Sequence, residues 1–498
     1  MDAMDQTLAR TLADDLGANG PTDERLRARI GDAAADALTR GDAAPARRAL
    51  RRAASDPVAD LARLFVLGDP MPAGSIAGAL PAVGVEGAER LGVLERAGDI
   101  VVPRVVIRPY VFDADADAAG WIASDLDELA GAFPLRADHV LGVGGAGRTL
   151  AAMLPPEGTG RALDLGCGCG VIALQLRRRG YDVVATDISE RALWFTRLNA
   201  ALNGLDGIEV RAGSLFEPVT GERFALIASN PPFVITPRSE DVPRYEYRDG
   251  GATGDGLMAQ VVSGIGAHLE PGGSARLLGN WEDAAGGVPG LDRVRSWTTD
   301  LGAWVVEREH LDPVAYAELW VRDGGTRPGT DAHDALIDAW LDDFEERRVA
   351  GIGMGWVVLR AEPVMSRFER VTQQVDPAAL GTHVAAALAV AERLARTDDA
   401  ALAASVLQVA GDVTEARHHL PGSESPSVIE LHQGGGLART TDADPALAAL
   451  VGACDGDLPV GALLDAIAEL LEVDAGALRA DILPQVRELL FTGVLSFT

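Results

Sequence analysis

The sequence predicts an α/β fold in the middle of the chain, a mostly parallel sheet with helices on both faces, flanked by helix-rich modules. Three observations carry this expectation. Apolar, β-branched runs alternate with helical stretches between residues 161 and 361. The first run feeds straight into a glycine loop, Asp164-Leu165-Gly166-Cys167-Gly168-Cys169-Gly170, and then a helix. The second run ends in a carboxylate, Asp187. Strands that alternate with helices pair in parallel, because each crossover helix returns the chain to the same sheet edge.

Taken in order, the strand-like runs are 162–165, 182–186, 208–211, 225–228, 275–278, 304–307 and 356–359, which makes seven strands. Residues 312–346 read as a long helical insert before the last of them. Upstream, residues 5–53 are rich in Ala, Leu and Arg at helical spacing and predict two or three helices. Arg47, Arg48, Arg51 and Arg52 fall along one side of such a helix. A solvated helix face is the plain reading of them, and a phosphate- or partner-binding stripe is the sharper one. Residues 57–108 give short helices followed by the apolar stretch 101–107, a pattern suggesting a small winged-helix-like unit. Such a unit binds nucleic acid in some proteins and packs against protein in others, so it assigns no role alone. Beyond Pro363 the chain is helix-rich again, and 458–495 suggests a second winged-helix-like module. The expected division is 1–135, 136–365 and 366–498.

Composition bounds the partners. Asp and Glu total 74 against 44 basic residues, every one of them Arg, for a net charge of -30. Polyphosphate binding depends on neutralising phosphates, so this balance weakens a nucleic-acid reading. The charge is uneven, however. Residues 1–110 hold 14 Arg against 16 acids, a net of -2, whereas 376–498 hold 6 against 18, a net of -12. Three cysteines, Cys167, Cys169 and Cys454, are too few and too odd in number for a disulfide framework and fit a reducing compartment. No uninterrupted apolar run reaches about 18 residues, and Met1 to Asp5 lack a signal-peptide pattern. The expectation is a cytoplasmic protein without a membrane span. Oligomeric state is not legible.

The glycine loop lets backbone pass close to a ligand at the carboxyl edge of the sheet, where open α/β sheets bind ligands. Asp187, 19 residues after Gly168, suits bidentate acceptance from two ribose hydroxyls, with Ile188 next to it. The third strand ends in Gly213-Ser214-Leu215-Phe216, where a loop meets an adenine ring. These features alone fit a dinucleotide-dependent dehydrogenase equally well. Cys167 and Cys169 have no Cys or His near them in sequence, so a metal site, which needs about four ligands, is not expected.

The fourth strand separates the two classes, because it ends in Asn230-Pro231-Pro232-Phe233. Two prolines remove two donors and fix φ, leaving a rigid turn with outward carbonyls. The Asn230 side-chain oxygen and the Pro231 carbonyl can both accept from a planar amino group, and Phe233 offers a face for stacking. Such a site aims a nitrogen lone pair at an electrophile.

Residues 164–233 resemble the class I methyltransferases with an N-P-P-[YF] motif, a Rossmann-like fold with a seven-stranded sheet. Within these the chain is similar to the branch holding release-factor glutamine methyltransferases and small-domain ribosomal RNA guanine methyltransferases. The resemblance implies S-adenosyl-L-methionine as cofactor. It carries cofactor binding to Asp164, Gly166, Cys167, Gly168, Gly170, Asp187, Ile188, Ser214, Leu215 and Asn230. It carries catalysis to Asn230, Pro231, Pro232 and Phe233, with no metal. Tyr247-Arg248-Asp249-Gly250-Gly251 and Gly254-Asp255-Gly256-Leu257 resemble an element of the glutamine-modifying members, interrupted here by a short insertion. Ser214 stands where many members carry Asp, a departure from the pattern. Residues 139–149, with Gly142, Gly144, Gly145 and Arg148, sit where the family lines the cofactor pocket, and predict a loop. The implied activity is methyl transfer to a planar NH2 group. A glutamine-type protein amide leads, a nucleobase exocyclic amine follows, and a small-molecule or peptide amine is third. A non-catalytic scaffold keeping the fold would lack tight cofactor binding.

Overall fold

The computed structural model describes residues 4–112, 119–131, 135–239 and 242–498. Met1, Asp2 and Ala3, part of the signal-peptide reading, lie outside the described residues. The chain forms two compact units: 1–151 with 157–300 and 307–361, and 152–156 with 301–306 and 362–498.

The first unit carries the expected α/β architecture. Its strands are β1 (Arg161–Leu165), β2 (Asp182–Asp187), β3 (Ile208–Ala212), β4 (Phe224–Ser229), β5 (Leu269–Ala284), β6 (Gly302–Leu311) and β7 (Val349–Arg360). The sheet order is β6-β7-β5-β4-β1-β2-β3; a further strand, Ser366–Arg370, belongs to the second unit. Pairing is parallel for β1 with β2, β1 with β4, β2 with β3 and β4 with β5, and antiparallel for β5 with β7. This is the Rossmann-like arrangement that the alternation predicts. Helices α1 (Val171–Arg178) and α2 (Glu190–Leu202) follow β1 and β2, and α3 (Gly256–His268) precedes β5. The insert expected at 312–346 is a pair of helices, α4 (Pro313–Asp323) and α5 (Asp331–Arg347). Their Tyr316, Trp340 and Phe344 build a small core with Val234, Ile235 and Ile352 beside the end of β4.

The chain before β1 also belongs to this unit. Four helices, Gln6–Asn19, Asp23–Ile30, Asp32–Thr39 and Ala44–Arg52, replace the two or three expected. Then come Pro57–Leu61 with a π-turn to Val66, a short strand, helices Ala73–Ala79 and Gly84–Arg90, and strands Leu94–Ala97 and Ile100–Pro103. This is winged-helix connectivity, with a three-stranded antiparallel sheet. The apolar stretch 101–107 does not form one ribbon. It breaks at Arg104, and Val105–Val111 pairs instead with Ala119–Asp125. That second hairpin is stitched to α2: Asn199 Nδ2 donates to the Ala123 carbonyl (2.9 Å), and Asn203 Nδ2 to that of Trp121 (2.7 Å).

In the second unit, Val406–Val409 pairs with Asp455–Pro459 and Leu495–Phe497, and helices Val460–Leu471 and Ala475–Thr492 join the outer strands. A three-stranded sheet, Val413–His418, Val428–Gln433 and Thr440–Ala443, interrupts what reads as a helix-rich region. Leu402, Leu407, Leu450, Val460, Leu464, Ile482 and Val486 are fully buried at its core. Among the described residues one helix, Pro377–Ala395, is long and apolar enough to cross a membrane by length and composition; it buries Leu380, Val384, Leu388 and Ala391 along one face.

Candidate functional site

The parallel register brings the candidate residues to one edge. Leu165 is level with Thr186 on one side and Ser229 on the other, and Asp187 is level with Ala212. The chain segments that leave those positions, 166–170, 188–189, 213–216 and 230–233, therefore start side by side, about 5 Å apart between neighbouring strands. Ser229 Oγ donates to the Leu165 carbonyl (2.7 Å), locking the ends of β4 and β1 together.

The glycine loop is shaped by left-handed backbone. Gly166 (φ 77°), Gly168 (φ 54°) and Gly170 (φ 83°) all adopt it. A Cβ at Gly166 or Gly168 would meet nothing within 4 Å, so open space faces the backbone there. A Cβ at Gly170 would lie 2.9 Å from Thr196 Cα, so that glycine serves close packing against α2. The loop is clamped from behind. Gly166 and Cys167 N–H both donate to the Thr186 carbonyl (2.9 Å), Thr196 Oγ1 donates to Gly168 O (3.1 Å), and Asn199 Nδ2 donates to Cys169 O (2.8 Å).

Asp187 accepts from Gly168 N–H on one oxygen and Ser189 N–H on the other, each at 2.9 Å. Each oxygen keeps a further lone pair. Burial pushes its pKa up, against the backbone hydrogen bonds that pull it down. Next to it, Ile188 is 69% exposed, an apolar side chain held out at the sheet edge. Across the edge, Ser214 and Leu215 are half-buried, and Leu215 adopts φ 47°, a conformation non-glycine residues rarely take. Asp164 lies deeper, 1% exposed, and accepts from Ala173 N–H (2.8 Å) in the first turn of α1. Burial pushes its pKa up to about 7. Cys167 and Cys169 are buried free thiols; burial pushes Cys169 up to about 11, so it stays protonated. Among the described residues no group of three His, Cys, Asp or Glu is placed to hold a metal.

At the end of β4, Pro231 is buried and Asn230 half-buried, and the Asn230 Oδ1 atom is buried with no hydrogen-bond partner. An orphaned buried acceptor is costly and marks a place where a donor is wanted. Phe233 is half-buried against the core built by α4 and α5 and forms an isolated antiparallel bridge with Asp249. Ile235 N–H and Asn280 Nδ2 both donate to Tyr316 Oη, at 3.1 and 2.7 Å, which fixes the segment after the tetrad. Asp249 is anchored by Arg238 (2.6 Å) and Gly251 N–H (2.9 Å), whereas Asp255 is bound to Arg293 and Glu282 N–H (3.1 Å) and so is a structural tie.

The segment 139–149, expected as a loop, is one only as far as Gly144. A helix begins at Gly145 and runs to Met153. His139 is 4% exposed, and Val140 N–H donates to Asp125 (2.9 Å). Arg191 on α2 forks onto the same carboxylate. Sequence reasoning did not find Asp125, Arg191, Thr196, Asn199 or Tyr316. The available signal was the run of polar residues Thr196, Asn199 and Asn203 at helical spacing.

Residues 142–244 match the family model described as methyltransferase small domain. The flanks match two models described as domains of unknown function, DUF7059 over 3–104 and DUF7782 over 387–497. A release factor glutamine methyltransferase of Xylella fastidiosa is 38% identical over 133 residues, 25% of this chain and 48% of that one. A ribosomal RNA small subunit methyltransferase C of Salmonella newport is 35% identical over 133 residues, 26% of this chain and 34% of that one. The chain spans about half or less of the length of these curated relatives. Among solved structures, a methyltransferase from Pyrococcus furiosus is 16% identical and covers 43% of this chain and 80% of its own, with a TM-score of 0.26. The central segment is thus similar both to enzymes named for a protein amide and to enzymes named for ribosomal RNA.

Proposed function

We propose that this protein is an S-adenosylmethionine-dependent N-methyltransferase acting on a planar NH2 group. The observation that carries the reading is the buried, unpartnered Oδ1 of Asn230, on the same sheet edge as the Asp187 carboxylate and the open glycine loop. When bound, S-adenosylmethionine supplies a methyl group on a positively charged sulfur. The residues present fit it: the Asp187 oxygens have lone pairs for ribose hydroxyls, Gly166 and Gly168 leave room against the backbone, and exposed Ile188 offers an apolar face for a base. Ser214 and Leu215 complete that side.

Asn230 Oδ1 and the Pro231 carbonyl accept the two N–H bonds of the substrate amino group. Pro231 and Pro232 hold those acceptors rigid, so little reorganisation is needed. Amide and aromatic amines are weak nucleophiles. Two acceptors raise electron density on the nitrogen and aim its lone pair, and Phe233 stacks on the planar group. A glutamine-type amide of a protein is the first acceptor reading, supported by the Asp249-Gly250-Gly251 element and the similarity to release factor glutamine methyltransferases. A nucleobase amine is the second, supported by the similarity to the ribosomal RNA enzymes and by an arginine face described below. In this reading 136–365 is the catalytic domain, and 1–135 and 366–498 serve acceptor recognition. The three buried free cysteines support a reducing, cytoplasmic setting.

The test is incubation of the full chain with methyl-labelled S-adenosylmethionine and fractionated lysate. Label is expected in protein or RNA. With the acceptor in hand, Asn230→Ala should bind the cofactor like wild type and turn over at least about 100-fold more slowly. Unchanged turnover would remove Asn230 from the chemistry.

A further inference from the structure

The helix Ala44–Arg52 is the most basic segment of an acidic protein, and its arginines do different things. Ala46 and Leu50 are buried and fasten the helix to its neighbours. Arg47 turns inward: its Nε donates to Asp69 (2.9 Å) and its guanidinium also reaches the carbonyls of Leu67 (2.5 Å) and Leu129 (3.2 Å). Arg48, Arg51 and Arg52 are exposed, with no hydrogen bond or ion pair to any described residue. They lie at i, i+3 and i+4, one face of the helix.

The contrast with their surroundings is physical. Several other arginines in this part of the chain are matched: Arg27 to Asp32 and Asp36, Arg29 to Asp56, Arg108 to Asp127. Of the acids that flank the helix in sequence, Asp56 pairs with Arg29 and Asp69 with Arg47, while Asp42 accepts from Ala44 N–H (2.9 Å) and keeps its charge. Three unmatched guanidiniums on one face therefore survive as a local positive field. The net charge of -30 does not cancel it, because screening confines each charge to about 8 Å at physiological salt. Arg47 also ties the helix to the segment around Leu129. Leu129, held by Arg47, follows Asp125, the carboxylate that binds Arg191 and Val140 N–H at the segment leading to the glycine loop.

We infer that the exposed face of Ala44–Arg52 binds the phosphate backbone of RNA. Arg48 to Arg52 spans about 6 Å along the helix axis, and guanidinium is suited to forked contacts with phosphate oxygens. Contacts of this kind position a strand and read no sequence. The inference deepens the methyltransferase reading without needing it: it names RNA as the partner, either carrying the acceptor base or carrying the acceptor protein in a ribonucleoprotein.

The test uses the full chain, a fluorescein-labelled RNA oligonucleotide of mixed sequence, and anisotropy titrations between about 50 and about 200 mM salt. Wild type should bind with an affinity that falls steeply with salt. The variant R48Q/R51Q/R52Q should bind at least tenfold more weakly at the low salt, with the log–log slope reduced by about 2. Glutamine is a good helix former on an exposed face, so its melting temperature and S-adenosylmethionine affinity should match wild type. Absence of salt-dependent RNA binding would overturn the inference, as would equal slopes for wild type and variant. So would binding of poly-glutamate in place of RNA, which would mark the face as a dock for acidic protein. Failure here leaves cofactor binding intact, whereas failure of the methyltransferase reading abolishes cofactor binding in both proteins.

Discussion

Asp164 is a carboxyl group with a single hydrogen bond, from Ala173 N–H, in a position 1% exposed. Burial raises its pKa from near 4 to about 7, so the fold favours the protonated form. The sign follows: its contribution to stability is complete below the unfolded value near 4 and is lost as pH rises through about 7. Asp164→Asn keeps an acceptor for Ala173 and cannot titrate. The urea midpoint of wild type minus that of the variant should therefore fall between pH 5 and pH 8; a constant difference would show that Asp164 does not titrate in this range. At this scale the site was legible where its chemistry is contiguous in sequence, as in Gly166 to Gly170 and Asn230 to Phe233. It was illegible where support comes from afar. Asn199 grips residues 30 and 76 positions away, and Arg191 grips Asp125 across 66.

Elements were legible where β-branched residues cluster between turns, and their lengths were not. The fifth strand reads as four residues, 275–278, yet β5 runs for 16, and its antiparallel ladder with β7 continues past that run to Ala284. The small sheet 413–443 was missed because its strands are short and expose polar residues such as Thr414 and Glu415. The strand Ser366–Arg370 shows what packing adds. Its Glu369 accepts from Arg367 (2.9 and 3.0 Å), Arg439 (3.0 and 2.6 Å) and Trp304 Nε1 (2.6 Å). Burial alone would raise its pKa, but the Arg367 and Arg439 guanidiniums overcome that and hold it at about 2. A depressed carboxylate stabilises above its unfolded value near 4.5 and loses that contribution as pH falls toward 2. Glu369→Gln should cost about 3 kcal/mol at pH 7 and progressively less at lower pH, read by denaturant unfolding of the full chain. An equal cost at pH 7 and pH 3 would contradict the pairing.

For the molecule as a whole, the centre and the flanks carry different features. The central segment carries a family match and a sheet edge that gathers a glycine cradle, a carboxylate and an orphaned amide oxygen. The flanks carry charge and connectivity: winged-helix topology with an unmatched arginine face before β1, and a compact unit after residue 362 whose sequence from 376 bears a net of -12. The acceptor-recognition role proposed for the flanks presupposes that the edge binds S-adenosylmethionine, and one titration asks that directly. Calorimetry of the full chain should give saturable, single-site binding of S-adenosylmethionine, no binding of NAD, and at least about tenfold weaker cofactor binding for Asp187→Ala, the scale of losing hydrogen bonds to a charged acceptor. Heat with NAD and none with S-adenosylmethionine, or an Asp187→Ala variant that binds as wild type does, would contradict the account.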